Sequence, residues 1–240
     1  NNNVKNKFMK LGLGKSNNDY KNINIVDGTF RLRIDENHPQ ISEAITRNLT
    51  KGINAGREVK ELVYHSLTGY IKDIKIRKTP KMGTRMQLFI SDTRDMYVID
   101  TGYASGEATA IYKMLPNIDP VNPVEISISR KKNDQGREVT SVFMREYDEN
   151  GDGQIVKHAY TKDNPNGIPN WEQKQIQGEM KWDNTSQIEF LIENALNPFL
   201  EKLGKMPIQD QNSDDEFDTV DESNEADEEV QIQNPDDVPF

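Results

Sequence analysis

The sequence contains no cysteine among its 240 residues. Disulfide bonds, thiolate catalysis and cysteine-based metal sites are therefore excluded. Histidine is scarce as well: only His38, His65 and His158 occur, far apart in the chain, so a Cys/His zinc site is not expected. No set of a nucleophile with an adjacent base is recognisable. We therefore predict a protein that is not an enzyme and that needs neither a metal ion nor another cofactor.

Long apolar runs are also missing. Hydrophobic residues make up 34% of the chain, and no segment approaches the ~20 apolar residues of a transmembrane helix. The opening residues do not follow the charged, apolar and small-residue pattern of a signal peptide. These features predict a cytoplasmic protein without membrane contact. The low apolar content also indicates that part of the chain does not fold.

Basic residues are absent from the end of the chain. Residues 209–240 contain 13 acidic residues and no Lys or Arg, which leaves 27 acidic and 30 basic residues in residues 1–208. We predict that residues 209–240 form a disordered acidic tail, because this composition cannot bury a core. Residues 1–21 are rich in Asn and Lys and predict a flexible basic arm. This asymmetry of charge suggests that the body between them, residues 22–208, binds nucleic acid.

The body is predicted to be mostly β. Turn residues and alternating apolar residues indicate two strands within residues 22–34, joined at Asp27-Gly28, then strands at 62–78, 84–90, 95–101, 124–130 and 137–147, with a helix at 104–115. From residue 62 onward, this order is that of an OB-fold, a five-stranded Greek-key barrel with a helix between its third and fourth strands. Further strands at 154–160 and 174–182 and a helix at 185–203 follow. Residues 39–55 predict either a short helix or an ordered loop.

The last residues form a pattern of their own. Two carboxylates precede an apolar Val-Pro-Phe, and the ring and free carboxylate of the final residue suit an apolar pocket lined by Arg or Lys. The segment Asp236-Asp237-Val238-Pro239-Phe240 resembles the C-terminal tip of bacterial and bacteriophage single-stranded DNA-binding proteins, which typically ends in Asp-Asp-Asp-Ile-Pro-Phe. The body is more similar to the divergent phage-encoded members.

The resemblance implies several properties together. The protein would coat single-stranded DNA (ssDNA) during replication, recombination or repair, in the cytoplasm of a bacterial host if it is phage-encoded. Its tip, residues 236–240, would dock replication and recombination proteins. Its acidic tail would compete with DNA for the basic surface of the body. Oligomeric state and the choice between DNA and RNA stay open.

A body that binds single strands needs cations for phosphates and rings for bases. In OB-folds the contact surface is formed by strands two and three and by the loops joining strands one and two and strands four and five. Both loops are basic here, and Phe89 lies opposite the apolar face of its strand. The predicted ssDNA-binding residues are Lys75, Arg77, Lys78, Lys81, Arg85, Phe89, Tyr97, Arg130, Lys131, Lys132, Arg137, Phe143, Arg145 and Tyr147. Tyr97 and Tyr147 are equally compatible with the core.

Two other functions stay open. Asp92, Asp95 and Asp100 would be the metal ligands if the chain were a metal-dependent nuclease. The body would instead bind protein if the chain were an adaptor whose acidic tail mimics DNA. Residues 148–153 look like the start of an EF-hand loop, but position twelve is Ala159 where a Glu is needed. A hairpin turn is therefore predicted there.

Overall fold

The computed structural model describes residues 20–50, 55–80, 82–132, 136, 138–176 and 179–208. Most of the predicted basic arm, the acidic tail with its tip, Lys81 and Arg137 lie outside the described residues. Within them the chain is mostly β, as predicted. No helix in the described ranges is both long enough and apolar enough to cross a membrane.

Ten strands form one large sheet. They are β1 (Tyr20–Val26), β2 (Thr29–Ile34), β3 (Ile45–Asn48), β4 (Glu58–Tyr64), β5 (Ser66–Thr79), β6 (Gly83–Ser91), β7 (Met96–Gly102), β8 (Val124–Lys132), β9 (Glu138–Tyr147) and β10 (Gly153–Ile155). Two strands, β11 (Glu172–Ile176) and β12 (Glu179–Asp183), form a separate hairpin. Three α-helices complete the described fold: α1 (Gly106–Met114), α2 (Thr185–Leu191) and α3 (Asn197–Lys202).

The order of strands in the sheet is β10-β9-β8-β5-β6-β7-β1-β2-β4-β3. The pairing of β1 with β7 is parallel, and the other strand pairs described in this sheet are antiparallel. For the described residues, β10 and β3 remain as the two edges, so the hydrogen-bonded ladder is not a closed barrel. The succession β5, β6, β7, α1, β8 and β9 follows the element order expected from the sequence.

Strand β5 joins two parts of the sheet. Its first residues, Ser66–Gly69, pair with β8, and residues 70–79 pair with β6 across an irregularity between Ile71 and Asp73. At Gly69, where the partner changes, a Cβ atom would lie 2.6 Å from the carbonyl oxygen of Ser91. Only glycine permits this approach of two backbones. The sequence predicted one strand over residues 62–78, which was wrong in this respect, because the chain divides at His65 between β4 and β5.

Four further elements differ from the expectations. In the described part of residues 39–55, a 3₁₀ turn at Ile41–Glu43 is followed by β3, because pairing with β4 outweighs the helical spacing of the apolar residues. The strand predicted at 154–160 shortens to β10, and the strand predicted at 174–182 is the β11–β12 hairpin. The helix predicted at 185–203 divides around a π-helical turn at Ile192–Leu196, and Pro198 lies in the first turn of α3, where its missing N–H is tolerated.

One apolar core lies on one face of the sheet. The predicted core-facing residues of β6, Met86, Leu88 and Ile90, are fully buried, which confirms their alternation. The stripe predicted on α1 is buried as well and packs into the same cluster. Ser105 caps α1, because its side chain accepts a hydrogen bond from the backbone N–H of Ala108.

The sheet is curled, because the tip of the β1–β2 hairpin contacts a strand that is not its neighbour in the sheet. Asp27 and Gly28 both have positive φ, 51° and 72°, as a two-residue type I′ turn requires. The predicted Asp-Gly turn is thus confirmed. Its tip lies against β8, four positions away in the sheet order: Arg130 Nη1 donates a hydrogen bond of 3.3 Å to Asp27 Oδ1. A Cβ atom on Gly28 would lie 2.6 Å from the backbone nitrogen of Arg130.

We expect Gly28→Ala to destabilise the protein more than Gly151→Ala does. Both glycines have positive φ, which costs an alanine about 1–2 kcal/mol. Only Gly28 has β8 backbone within contact distance, whereas nothing lies within 4 Å of a Cβ on Gly151. Displacing that backbone adds about 1–3 kcal/mol. Urea unfolding of the two variants measures the difference. Equal losses would contradict the contact between the hairpin and β8.

Candidate nucleic-acid interface

The second face of the sheet, opposite the core, carries most of the charged side chains of interest. Residues that pair directly across neighbouring strands lie on the same side of a sheet, so the register defines this face. We call it the polar face. Its members include Asp73, Lys75 and Arg77 on β5, Arg85, Gln87 and Phe89 on β6, Val98 and Asp100 on β7, Tyr20 and Asn22 on β1, Arg31 and Arg33 on β2, Glu61 on β4, and Arg47 on β3.

Two rings and a lysine meet on the polar face. The centroids of Tyr20 and Phe89 are 6.0 Å apart with an angle of 82° between the rings, an edge-to-face pair. Lys75 Nζ lies 5.2 Å from the centroid of Phe89, a cation–π distance. Phe89 is half-buried and lies opposite the core, as predicted. The sequence placed Tyr20 in the flexible arm, and only its parallel pairing with Met96 of β7 brings it beside Phe89.

Arg85 corrects a prediction. It was expected to contact DNA, but its Nε donates a hydrogen bond of 2.7 Å to Asp100 Oδ1, and the residue is only 6% exposed. Gln87 Nε2 donates to the other carboxylate oxygen at 3.0 Å. Arg85 is therefore engaged in a buried ion pair instead of being presented to a ligand. The physical reason is its place in the centre of the sheet, since β6 already begins at Gly83. Arg77, directly opposite on β5, is only partly buried.

A second group of cations surrounds Glu61, whose side chain is completely buried. Arg47 donates two hydrogen bonds to its carboxylate, of 3.0 Å from Nε and 2.9 Å from Nη2. Arg31 Nη1 and Arg33 Nε lie 3.5 Å and 3.6 Å from the same carboxylate. Burial by itself would raise the pKa of Glu61, but the hydrogen bond from Arg47 and the three positive charges outweigh burial and lower it. We call Arg31, Arg33 and Arg47 the arginine cluster. Sequence reasoning missed it because residues 39–55 were not predicted to contain a strand, and only the pairing of β2 and β3 with β4 brings the three arginines to Glu61.

The predicted cations of the β8–β9 hairpin lie at the end of that hairpin. Arg130 is engaged, since it forms ion pairs with Asp27 at 3.3 Å and with Glu138 at 2.6 Å. Lys131 and Lys132 are exposed at the end of β8. Lys78 has a similar exposed position at the end of β5. These three lysines are therefore accessible to a ligand, whereas Arg130 mainly holds the curled sheet.

The predicted residues of β9 form a separate group. Phe143, Arg145 and Tyr147 alternate along one side of β9, and Phe143 is 53% exposed. Tyr147 donates its hydroxyl to Glu125 Oε2 at 2.7 Å. This hydrogen bond is the largest cause that lowers the pKa of Glu125. Register places these residues on the same side of the sheet as the polar face, but β8 and β5 separate them from Phe89.

Tyr97 lies on the opposite side from Phe89. It pairs with the core residue Ile90 and packs against the core cluster. Its hydroxyl lies 3.3 Å from Asp92 and 3.4 Å from Asp95, and burial together with these two carboxylates raises its pKa to about 12. The structure therefore separates Tyr97 from the other predicted rings. The sequence contained one signal for this position, because Tyr97 alternates with Ile99 and so shares its side of β7. Val98, on the other side, made the two sides of the strand look equally apolar.

The aspartates considered for a nuclease each have another partner. Asp92 accepts hydrogen bonds of 2.7 Å from the backbone N–H groups of Arg94 and Asp95, which are the largest causes that lower its pKa. Asp95 pairs with Lys21 at 2.7 Å, and Asp100 holds Arg85. In the ranges that the structure describes, no group of three or more His, Asp or Glu side chains is arranged to hold a metal ion.

The EF-hand-like segment is a turn, as predicted. Asp148 Oδ1 accepts hydrogen bonds from the backbone N–H groups of Asn150 and Asp152, both at 2.9 Å. The backbone N–H of Asp148 in turn donates to the carbonyl oxygen of Asp152. These bonds close the connection between β9 and β10. The carboxylate thus organises its own loop.

Comparison of the chain with models of protein families, with curated protein sequences and with solved structures gives no match. An inference about function therefore depends on the chemistry of the polar face and of the C-terminal residues. That chemistry combines adjoining rings, a lysine over one of them, and a cluster of guanidinium groups on one side of a single sheet.

We expect Glu61→Gln to reduce the free energy of unfolding by about 3 kcal/mol at pH 7, because the variant leaves three guanidinium groups without their carboxylate. The pKa of Glu61 is lowered in the folded state. Its contribution is therefore complete above the unfolded pKa of about 4.3 and is lost as pH falls through the folded value. Denaturant unfolding between pH 7 and pH 3 should show the two proteins converging in stability.

Glu189→Gln, at an exposed position of α2, is the matched control and should leave stability nearly unchanged at pH 7. A constant difference between wild type and Glu61→Gln over the whole pH range would contradict the role assigned to the carboxylate.

Proposed function

We propose that this chain is a non-enzymatic single-stranded DNA-binding protein. It coats exposed strands during DNA replication, recombination or repair, and it recruits partner proteins through its acidic C-terminal tail. The observation that carries the proposal is the Phe89–Tyr20 ring pair, with Lys75 over Phe89, on a face that also carries the arginine cluster. The proposed location is the cytoplasm of a bacterial host.

The arrangement suits a ligand whose sequence is not read. Every base has a π face, so a ring can stack on any of them, with a contribution of about 1–3 kcal/mol per base. Lys75 lies over the Phe89 ring and 3.8 Å from Asp73, and Arg77 lies further along β5 opposite Arg85, where phosphates of the same strand would pass. Binding of this kind depends strongly on salt, because each phosphate contact releases condensed counterions.

We propose further that the sheet is a variant of the OB-fold barrel. Strand β5, the first of the expected five, pairs with both β6 and β8, and α1 lies between the third and fourth strands of that order. The tip of the β1–β2 hairpin lies against β8, across the curled sheet. In such a fold the β5–β6 and β8–β9 hairpins flank the binding surface. Lys78, Lys131 and Lys132 stand at the ends of strands that lead into these hairpins.

The tail provides the second half of the proposed function. Residues 209–240 carry 13 acidic residues and no basic ones, so they are able to compete with DNA for the polar face. The ring of Phe240, preceded by Asp236 and Asp237, forms a short ligand for a basic pocket of a replication or recombination protein. Pro239 restricts the chain and lowers the cost of ordering it on binding.

We expect Phe89→Leu to weaken binding of a labelled oligo-dT about tenfold, because leucine keeps apolar volume but cannot stack on a base. Tyr64→Ala, which removes an exposed ring at the end of β4, is the control and should bind as the wild type does. Fluorescence anisotropy at low and high salt measures both. The proposal is wrong if the wild type does not bind oligo-dT, which leaves a protein-binding adaptor, or if it cleaves the strand when Mg²⁺ or Mn²⁺ is added, which indicates a nuclease.

We expect deletion of residues 209–240 to tighten oligo-dT binding at low salt, because the deletion removes a competing polyanion. High salt should reduce the difference through screening. The matched control is deletion of Phe240 alone, which keeps the acidic residues and should leave DNA affinity unchanged while it abolishes docking of the partner. Unchanged or weaker DNA binding after the long deletion would contradict competition by the tail.

A further inference from the structure

Tyr70 of β5 is an exposed ring on the polar face. It pairs directly with Ser91 of β6, which lies on the same side of that strand as Phe89. Diagonal neighbours of this kind lie about 7–8 Å apart, within reach of aromatic side chains. The register also continues from Ser91 through Met96 of β7 to Tyr20 of β1. Tyr70, which is 37% exposed, therefore stands beside the ring pair of Phe89 and Tyr20, on the side opposite the core.

An extra residue in β5 directs a lysine over this ring. The register between β5 and β6 shifts between Ile71 and Asp73, so Lys72 is the additional residue of a β-bulge. Its Nζ lies 4.9 Å from the centroid of Tyr70, a cation–π distance. Without the extra residue, strict alternation would turn either Ile71 or Ile74 away from the core, and both are buried. The bulge thus keeps the core side intact while it places a cation beside an exposed ring.

Tyr70 also lies where β5 changes partner, between two groups of rings. Thr68, two positions earlier and on the same side of β5, pairs with Glu125 of β8, which pairs with Arg145 of β9. The Tyr147 hydroxyl donates its hydrogen bond of 2.7 Å to Glu125, so this side chain extends from β9 over β8. Tyr70 therefore connects the ring pair to the predicted residues of β9, which β8 and β5 separate from it.

The carboxylates on this part of the face interact with neighbouring protein groups. Asp73 lies 3.8 Å from Lys75. The hydrogen bond from Tyr147 is the largest cause that lowers the pKa of Glu125. Lys72 is exposed. A phosphate that follows a base on the neighbouring ring would thus meet this lysine at the surface.

We propose that Tyr70, with Lys72 over it, is a further base-stacking position of the same ssDNA site. A base stacks on the Tyr70 ring, and Lys72, on its flexible stem, moves from the ring to the adjoining phosphate. The strand then crosses the polar face from the ring pair over Tyr70 towards Phe143 and Tyr147. The inference rests on the proposed function and deepens it, because it joins the predicted residues of β9 and those of β6 in one site.

The first test measures binding of labelled oligo-dT by fluorescence anisotropy. Tyr70→Leu should lower affinity about tenfold, because leucine cannot stack on a base, whereas Tyr70→Phe keeps the ring and should bind as the wild type does. Tyr64→Leu is the matched control and should leave affinity unchanged. Tyr64 is 38% exposed, but it pairs with the core residue Phe30 and so lies on the opposite side of the sheet.

The role of the lysine is measured by the salt dependence of the same binding. Lys72→Gln should lower the slope of log K against log salt by about 0.7, the value of one phosphate contact on a single strand. Lys202→Gln, which removes an exposed cation of α3, is the control and should keep the slope of the wild type. An unchanged slope for Lys72→Gln would contradict the phosphate contact.

A tryptophan at the same position reports stacking directly. Tyr70→Trp keeps a flat ring, and its emission should be quenched when oligo-dT is added, beyond any change that Trp171 and Trp182 show in the wild type. Tyr64→Trp should show no added quenching.

The outcomes separate this position from the proposed function. Wild-type affinity in Tyr70→Leu and no added quenching in Tyr70→Trp, with Phe89→Leu still impaired, would overturn the stacking position and leave the proposed function intact. Absence of oligo-dT binding by the wild type would overturn both. Thermal unfolding checks that each variant is folded, and Tyr70→Trp decides the outcome if Tyr70→Leu does not fold.

Discussion

Pairing of β5 with two different strands is the constraint on which the rest of the sheet depends. Its first residues belong to the ladder with β8 and its remaining residues to the ladder with β6, and Gly69 allows the close approach that this exchange requires. Ten strands are thereby held in one curled sheet with one core. Because the sheet is continuous, its polar face is continuous too. Side chains from distant parts of the chain therefore lie on one surface.

Buried carboxylates organise that surface. Asp100 holds Arg85 and Gln87 within β6, and Glu61 holds the arginine cluster on β2 and β3. The two sites differ in the number of their neighbours, because Asp100 forms an ion pair of 2.7 Å with Arg85, whereas three guanidinium groups lie within 3.6 Å of the Glu61 carboxylate. In both sites a buried carboxylate holds arginine side chains in place across neighbouring strands.

Much of the local structure was predictable from sequence, and the site was predictable in part. Alternation in β6 identified both its core side and the outward position of Phe89, and Asp27-Gly28 specified a tight turn, because these signals lie within a few residues of one another. Tyr20 was missed, because its place beside Phe89 comes from a parallel pairing between strands about 75 residues apart. Arg85 was misjudged. A basic residue near a hairpin gives no sign that Asp100, which pairs with Gln87 on the neighbouring strand, lies within hydrogen-bond distance of its guanidinium group.

By itself, the sequence determined the mostly β character of the body, the separation of a mildly basic body from an acidic tail, and the apolar end of that tail. Composition and short-range periodicity suffice for these properties, since they depend on neighbouring residues. Only the tertiary structure decided which cations are neutralised, which rings meet, and that β2, β3 and β4 add an arginine cluster to the polar face. Those properties depend on strand order and register, which long-range pairing and burial select and which no local pattern encodes.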